Sequence, residues 1–158
     1  MDQKKLKTLL RYEPETGDFY WIRKPARRIL IGARAGYISK GYMCIRIEHR
    51  IYFSHRLAWL FINGQWPVDE IDHIDGNPMN NKIANLRQAT RAQNLANIRK
   101  TWSASGLRGV SWHKHTRKWR VHIQGKEIGR FATKEEAARI WQREAKRRFG
   151  EFAPTSVS

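Results

Sequence analysis

A stretch rich in Ser and Gly divides the chain into two parts, and this division limits the folds that the chain can adopt. Residues 99–106 show little hydrophobic periodicity and gather Ser103, Ser105 and Gly106, which favours a linker. Each flanking part must therefore build its own core. Cys44 is the only cysteine, so no internal disulfide or cysteine-rich zinc site supports either core. We predict an α+β fold with a first domain at 1–98 and a second at 107–153.

The first part alternates short strands with helices. Aromatic and β-branched residues dominate its strand segments. The predicted elements are a helix from Gln3 to about Arg11, a strand at 19–22 and, after a basic connecting segment, a hairpin of strands at 42–47 and 51–53. Ser54 is the expected N-cap of a second helix, which Gly64 ends. Residues 71–94 then follow the pattern strand, loop, strand and helix.

The second part changes its hydrophobic period once. Three short segments at 107–112, 118–123 and 128–131 have the composition of strands separated by turns. Thr133 and Glu136 then form a capping box, and apolar residues recur at helical spacing until Gly150. We therefore predict a three-stranded antiparallel sheet followed by one helix.

The charge of the chain indicates a polyanionic partner. Lys and Arg number 31 against 14 Asp and Glu, which gives a formal net charge of +17. Nucleic acid is favoured over an anionic membrane surface, because the segments are mixed helix and strand rather than one basic amphipathic helix. No apolar run reaches the length of a membrane span, and the N-terminus lacks the apolar core of a signal peptide. We expect a cytoplasmic protein without membrane contact.

Residues 71–94 carry the most informative chemistry. Asp72 and His73 are adjacent at the end of a predicted strand, and Asn94 lies in the first turn of the following helix. Carboxylate and amide oxygens are hard ligands suited to Mg²⁺ or Mn²⁺, and an imidazole beside them can activate a water. The alternative is that His73 is a hydrogen-bonded hairpin histidine and that the Asn residues shape turns and caps.

The pattern Asp72-His73, Asn85-Leu86-Arg87 and Asn94 resembles the HNH nuclease motif, in the form found in phage-type homing endonucleases. The resemblance extends upstream through residues 55–59 and 64–67 to the Gly41-Tyr42 strand. It covers most of residues 10–100, and it implies a ββα-metal core at about 68–98.

The resemblance also implies a role for each matching residue. It makes His73 the general base, Asp72 and Asn94 the ligands of one divalent cation per active site, and Asn85 the residue that steadies the loop orienting His73. Many HNH proteins have His where this chain has Asn94, and the harder amide oxygen favours Mg²⁺ or Mn²⁺ over zinc. Two alternatives stay open for His55, which either approaches the site or has a structural role.

The second part resembles the apetala-type (ethylene-response-factor, AP2/ERF-like) DNA-binding domain over about residues 106–153. The matching segments are Arg108-Gly109-Val110, Trp119, Ile128-Gly129-Arg130-Phe131, Glu135-Glu136-Ala137-Ala138 and Gly150. That family implies a sheet laid in the major groove, where arginine is the commonest reader of guanine. The candidate DNA contacts are Arg108, Trp112, Lys118, Arg120 and Arg130. The alternative is a solvated sheet face.

These observations together predict a metal-dependent endonuclease that hydrolyses phosphodiester bonds in double-stranded DNA, of the homing or mobile-element kind. One metal site implies one strand cut per active site, and the sequence leaves open whether the protein is a monomer or a homodimer. The rival hypothesis is a DNA-binding regulator whose HNH module is a non-catalytic scaffold. The set Asp72, His73, Asn85 and Asn94 favours the enzyme, because a pure binder has no chemical need to keep it together.

Overall fold

The computed structural model describes residues 1–97 and 104–153. The chain splits into two compact units, Met1–Arg91 and Ala92–Ser158. The predicted linker at 99–106 falls mostly on residues 98–103, outside the described part of the chain. Within the described ranges, no helix has both the length and the apolar character to cross a membrane.

The first unit is built from small antiparallel sheets and two helices. The helices are α1 (Gln3–Leu9) and α2 (Ser54–Asn63). The strands are β1 (Leu10–Glu13), β2 (Asp18–Trp21), β3 (Arg34–Ala35), β4 (Tyr37–Ser39), β5 (Tyr42–Ile47), β6 (Arg50–Phe53), β7 (Glu70–His73) and β8 (Leu86–Ala89). They form the sheets β1-β2-β3, β4-β5-β6 and β7-β8. Helix α3 (Arg91–Asn97) follows β8, and the boundary between the two units falls inside it.

Strand alternation builds the core of the first unit. Leu10 pairs with Trp21 and Tyr12 with Phe19 across β1 and β2, and all four side chains are buried. Residues two apart in a strand face the same side, so this face of the hairpin is apolar. It belongs to one core with Leu57 and other residues of α2.

Two local expectations for the first unit are wrong. Helix α1 ends at Leu9 rather than near Arg11, because Leu10 already pairs with Trp21 in β1. The alternating burial of Leu10 and Tyr12 has the period of a strand, and pairing with β2 overrides the helical spacing of the leucines. Ser54 is not an N-cap: it is the first residue of α2, and no side chain caps that helix. The αL conformation of Gly64 does end α2, as predicted.

The second unit contains a sheet covered on one side by a helix. Its strands are β9 (Val110–His113), β10 (Lys118–Ile123) and β11 (Lys126–Phe131), in the order β11-β10-β9. Helix α4 (Lys134–Phe149) buries Ala137, Trp141 and Ala145 in one core with Val110, Val121 and Ile123. The predicted capping residue is confirmed, because Thr133 Oγ1 accepts a hydrogen bond of 3.1 Å from the Glu136 N–H.

Candidate active site

The β7-β8 ribbon places Asp72 and His73 at the start of a polar loop. The two strands pair Asp72 with Arg87 and His73 with Leu86. Asp72 and His73 are both buried, with 3% and 7% of their surface exposed. Successive strand residues point to opposite faces, so burial of both means that each face of β7 is covered here. A buried carboxylate and a buried imidazole each need a partner.

Arg87 is the partner of Asp72. Its Nε and Nη2 both lie 2.8 Å from Asp72 Oδ2. Charge-assisted bonds of this length are the strong class, and both side chains are largely withdrawn from water. Arg87 belongs to the motif pattern, but the pattern alone does not indicate its role. The available signal was an opposite charge at a facing position of the second predicted strand.

Asn81 is the hydrogen-bond partner of His73. Asn81 Oδ1 lies 3.2 Å from His73 Nε2, and Asn81 Nδ2 donates to the carbonyl of Met79 at 3.4 Å. With the amide in this orientation, His73 carries its proton on Nε2 and keeps the basic lone pair on Nδ1. Burial lowers the pKa of His73, although the bond to Asn81 and the carboxylates of Asp75 and Asp72 oppose that shift. The imidazole is therefore neutral near pH 7 and able to accept a proton.

Asn85 fixes the loop that follows His73. Its Oδ1 accepts from the Asp75 N–H at 3.0 Å, and its Nδ2 donates to Asp75 Oδ1 and to the Asn80 carbonyl, both at 2.9 Å. The carboxylate of Asp75 also accepts from the Asn77 N–H and from Asn80 Nδ2. Burial alone would raise the pKa of Asp75, but these hydrogen bonds lower it. The loop is thus tied around one ionised carboxylate.

The first hairpin holds Asn81 in place. Tyr12 donates its hydroxyl proton to the Asn81 carbonyl at 2.8 Å, and burial raises the pKa of Tyr12 to about 12. Gly17 adopts a φ of 79°, and a Cβ there would lie 2.5 Å from Asn81 C and from Lys82 N. Only glycine fits both the conformation and the gap. No local pattern around Asn81 indicates its contacts with Tyr12 and Gly17, which are distant in the sequence.

His55 packs directly against His73 from the start of α2. The imidazole of His55 also stacks on Phe53 and contacts Tyr42. Within the described residues its Nδ1 is buried without a hydrogen-bond partner. Burial, followed by the nearby His73 and Arg56, lowers the pKa of His55 to about 3. The structure thus brings His55 to the site, where it is a neutral ring.

The residues that the sequence pattern assigns to a cation are one carboxylate, Asp72, and one amide, Asn94. In the described parts of the chain, no group of three His, Cys, Asp or Glu side chains is arranged to hold a metal. Such a set does not make a closed zinc site, whereas Mg²⁺ is commonly held by one or two carboxylates together with substrate phosphates. The Asp72 carboxylate is bonded by Arg87 through Oδ2. Asn94 lies on α3 in the second unit, and its place as a ligand rests on the sequence pattern.

The residues predicted to contact DNA lie in three different environments within the second unit. Lys118 and Arg120 lie two residues apart on β10, and Arg120 pairs with Arg130 on β11, so these three cations share one sheet face. Trp112 lies on the opposite face, with Val110, and packs against its cross-strand partner Trp119. Arg108 donates to the carbonyls of Leu95 and Ala96 at the end of α3. Its guanidinium thus serves packing within this unit.

Comparison with known proteins identifies a family for the region around His73. Residues 52–96 match the family described as HNH endonuclease. They form an HNH endonuclease domain. This domain runs from β6 to α3 and includes Asp72, His73 and Asn85. The match ends before the β9-β10-β11 sheet of the second unit, so the apetala-type resemblance of that unit stays a prediction.

Two viral proteins are similar to the chain. "Protein 3.8" of Escherichia phage T7 is 43% identical over 77 residues, which cover 46% of this chain and 64% of the relative. "Uncharacterized HNH endonuclease L560" of Acanthamoeba polyphaga mimivirus is 38% identical over 101 residues, which cover 63% of this chain and 54% of the relative. The chain thus spans between half and two thirds of these curated relatives. No solved structure matches it.

Proposed function

We propose that the chain is a divalent-metal-dependent endonuclease acting on double-stranded DNA, with His73 as general base. The observation that carries the proposal is the fixed geometry of His73, whose Nε2 is held by the buried Asn81 amide and which directly follows the buried Asp72 in β7. The HNH family match over residues 52–96 supports the reaction class. The net charge of +17 supports a polyanionic substrate.

In the proposed reaction, His73 Nδ1 removes a proton from a water whose oxygen attacks the scissile phosphorus. The bond from phosphorus to the 3′ oxygen breaks, and that oxygen takes a proton from solvent. Asn81 keeps the ring in the required tautomer, and Asn85 fixes the loop after His73 so that the imidazole does not turn away. Because the base is already neutral, no proton must leave it before reaction.

Asp72 and Asn94 are the residues proposed to hold one Mg²⁺ or Mn²⁺. A bound cation would neutralise charge on the phosphate as it becomes pentacovalent. Arg87 holds the Asp72 carboxylate in one orientation through Oδ2. We expect Arg87 to position that carboxylate and to lower the cost of its burial when no cation is bound.

The second unit is proposed to supply DNA affinity. Lys118, Arg120 and Arg130 share a sheet face, because Lys118 and Arg120 lie two residues apart on β10 and Arg120 pairs with Arg130 on β11. Three cations on one face form a surface that attracts the phosphates of DNA. We propose a homing or mobile-element role, which the viral origin of the two relatives supports.

The experiment is a nicking assay on supercoiled plasmid with the full chain, in the presence of Mg²⁺ or of excess chelator. The enzyme proposal predicts that the plasmid is cleaved only when the metal is present. The product should be open-circular DNA, since one active site cuts one strand. Tight DNA binding without conversion under both conditions would instead support the regulator with a non-catalytic HNH scaffold. The His73→Ala variant controls for a contaminating nuclease.

A further inference from the structure

The connection between β2 and β3 has a charge pattern that the proposed active site does not use. We call residues 22–33 the basic loop. From Phe19 to Ile47 the sequence contains seven Lys or Arg residues and no Asp or Glu, although both acids occur on either side. A cationic segment without any acidic residue attracts a polyanion rather than a mixed protein surface.

Two large aliphatic side chains project from the basic loop. Leu30 is 70% exposed and Ile31 is 66% exposed, whereas the preceding Ile29 packs against the main core. Single exposed aliphatic residues are common on protein surfaces. Here the two are adjacent and follow an anchored neighbour, so they form a defined apolar tip.

Backbone hydrogen bonds hold this tip in shape. The Ile29 N–H donates to Ala26 at 3.1 Å and the Ala33 N–H to Leu30 at 3.2 Å, which closes two consecutive turns. At the base of the loop, Gly32 donates to the Trp21 carbonyl at 2.7 Å and Trp21 donates to Ala33 at 3.0 Å. The tip is therefore ordered before any partner binds, which reduces the entropy lost on binding.

Cations flank the apolar tip. Arg28, Arg34 and Arg46 line a cleft of about 460 Å³ that also includes Trp21 and Tyr37. Arg34 is engaged by Asp18 at 2.6 Å. Within the described residues, Arg27 and Arg28 make no ion pair or side-chain hydrogen bond. Their positive charge is available to an external anion.

We propose that the basic loop is a minor-groove wedge for duplex DNA, a contact that rests on the proposed nuclease function and adds a second DNA-binding element to it. Leu30 and Ile31 enter the groove against the base edges, while Arg27 and Arg28 contact the flanking phosphates. Proteins that bend DNA combine these features, with aliphatic side chains pressed between base steps and cations on the backbone. The first unit would thereby bind and bend DNA through an element of its own.

The test uses the full chain, excess chelator and a mixed-sequence duplex of about 30 base pairs labelled at both ends for energy transfer. Affinity is measured over a range of salt concentrations, and the end-to-end distance reports bending. The Arg27→Ala/Arg28→Ala variant should reduce the slope of log affinity against log salt by about 2, since each phosphate contact contributes about 0.9. Leu30→Ser/Ile31→Ser should keep the slope and lose the bend.

Matched controls separate these effects from general changes in charge or hydrophobicity. Arg139→Ala/Lys146→Ala removes two exposed cations from α4, and Ile62→Ser/Val68→Ser removes two exposed aliphatic residues, 45% and 89% accessible. The apolar control should keep both slope and bend, and the charge control should keep the bend and lower the slope by less than the loop variant. Circular dichroism checks that every variant is folded.

Three outcomes overturn the wedge. They are an unchanged salt slope in the arginine variant, an unchanged bend in the aliphatic variant, and loss of binding to phosphatidylserine vesicles in the aliphatic variant while its DNA parameters stay the same. The last result would assign the tip to a membrane surface. Failure of the nuclease proposal is distinguishable, because a chain that binds and bends the duplex but never nicks plasmid with Mg²⁺ contradicts that proposal alone.

Discussion

The rings of His55 and His73 meet edge to face, with centroids 5.1 Å apart and ring planes at 81°. His55 has only 8% of its surface exposed, and its burial depresses its pKa to about 3. A charge on either ring would repel a charge on the other. The pair is therefore stable as two neutral imidazoles, which is the state that a general base at position 73 requires.

This relationship predicts acid sensitivity of the fold. Between pH 6.5, the ordinary pKa of His55, and about 3, its pKa in the folded chain, the unfolded state binds a proton that the folded state does not. The free energy of unfolding should thus be highest above pH 6.5 and fall by up to about 1.4 kcal/mol per pH unit below it. His55→Phe should flatten this dependence in urea unfolding from pH 4.5 to 8. An unaltered pH profile in the variant would contradict the prediction.

Removal of the proposed base should slow cleavage without weakening binding. We expect His73→Ala to lower the nicking rate by on the order of 10² to 10⁴, with DNA affinity in chelator almost unchanged. In the parent protein, the nicking rate should rise with increasing pH, with a midpoint below pH 6.5, because burial lowers the pKa of His73. His49→Asn is the control, since His49 is exposed in a turn with a φ of 66° that Asn tolerates. A parental rate in His73→Ala would exclude this residue from the mechanism.

Metal dependence should follow from Asp72. Chelation should stop nicking, Mg²⁺ or Mn²⁺ should restore it, and Asp72→Asn should raise the metal concentration needed for half-maximal rate. Because Arg87 holds the same carboxylate, Arg87→Ala should lower the free energy of unfolding by about 3 kcal/mol. Asp72→Asn/Arg87→Ala should lose less than the two single variants together. Full nicking in excess chelator would rule the site out.

The contact between Gly17 and the active-site loop should be visible by substitution. Gly17→Ala forces a Cβ to within 2.5 Å of the Asn81 backbone and should cost about 1 to 3 kcal/mol in stability. It should also slow nicking, because it displaces the partner of His73. Gly41→Ala is a matched control with a φ of 82° and no atom near the added Cβ. The proposed link fails if both variants nick at the same rate.

Substitution of two arginines in the second unit should affect different properties, namely DNA binding for Arg120 and stability for Arg108. Arg120→Ala should weaken DNA binding, with a loss of about 1 to 3 kcal/mol at one base position if Arg120 reads a base, or a uniform loss if it contacts phosphate. Arg108→Ala should instead lower thermal stability, because Arg108 bonds the carbonyls of Leu95 and Ala96. The opposite pattern, in which Arg108→Ala alone affects binding, would reverse our assignment.

Sequence patterns predicted the elements whose signal is local. The hairpin of β5 and β6, the end of α2 at Gly64 and the Thr133 cap of α4 each depend on a few neighbouring residues. The prediction of α1 as far as Arg11 was wrong because its end depends on Leu10 pairing with Trp21. Local spacing carries no information about a partner strand.

The sequence by itself determined the chemical identity of the candidate site, since the spacing of Asp72, His73 and Asn85 is carried by the chain. Only the tertiary structure showed which groups surround them. Arg87 reaches Asp72 across a strand pair, Asn81 is held by Tyr12 at a separation of 69 residues, and His55 reaches His73 from helix α2. These contacts depend on how separate elements pack in one core. Packing is set by the shape and burial of the whole unit, which no local pattern contains.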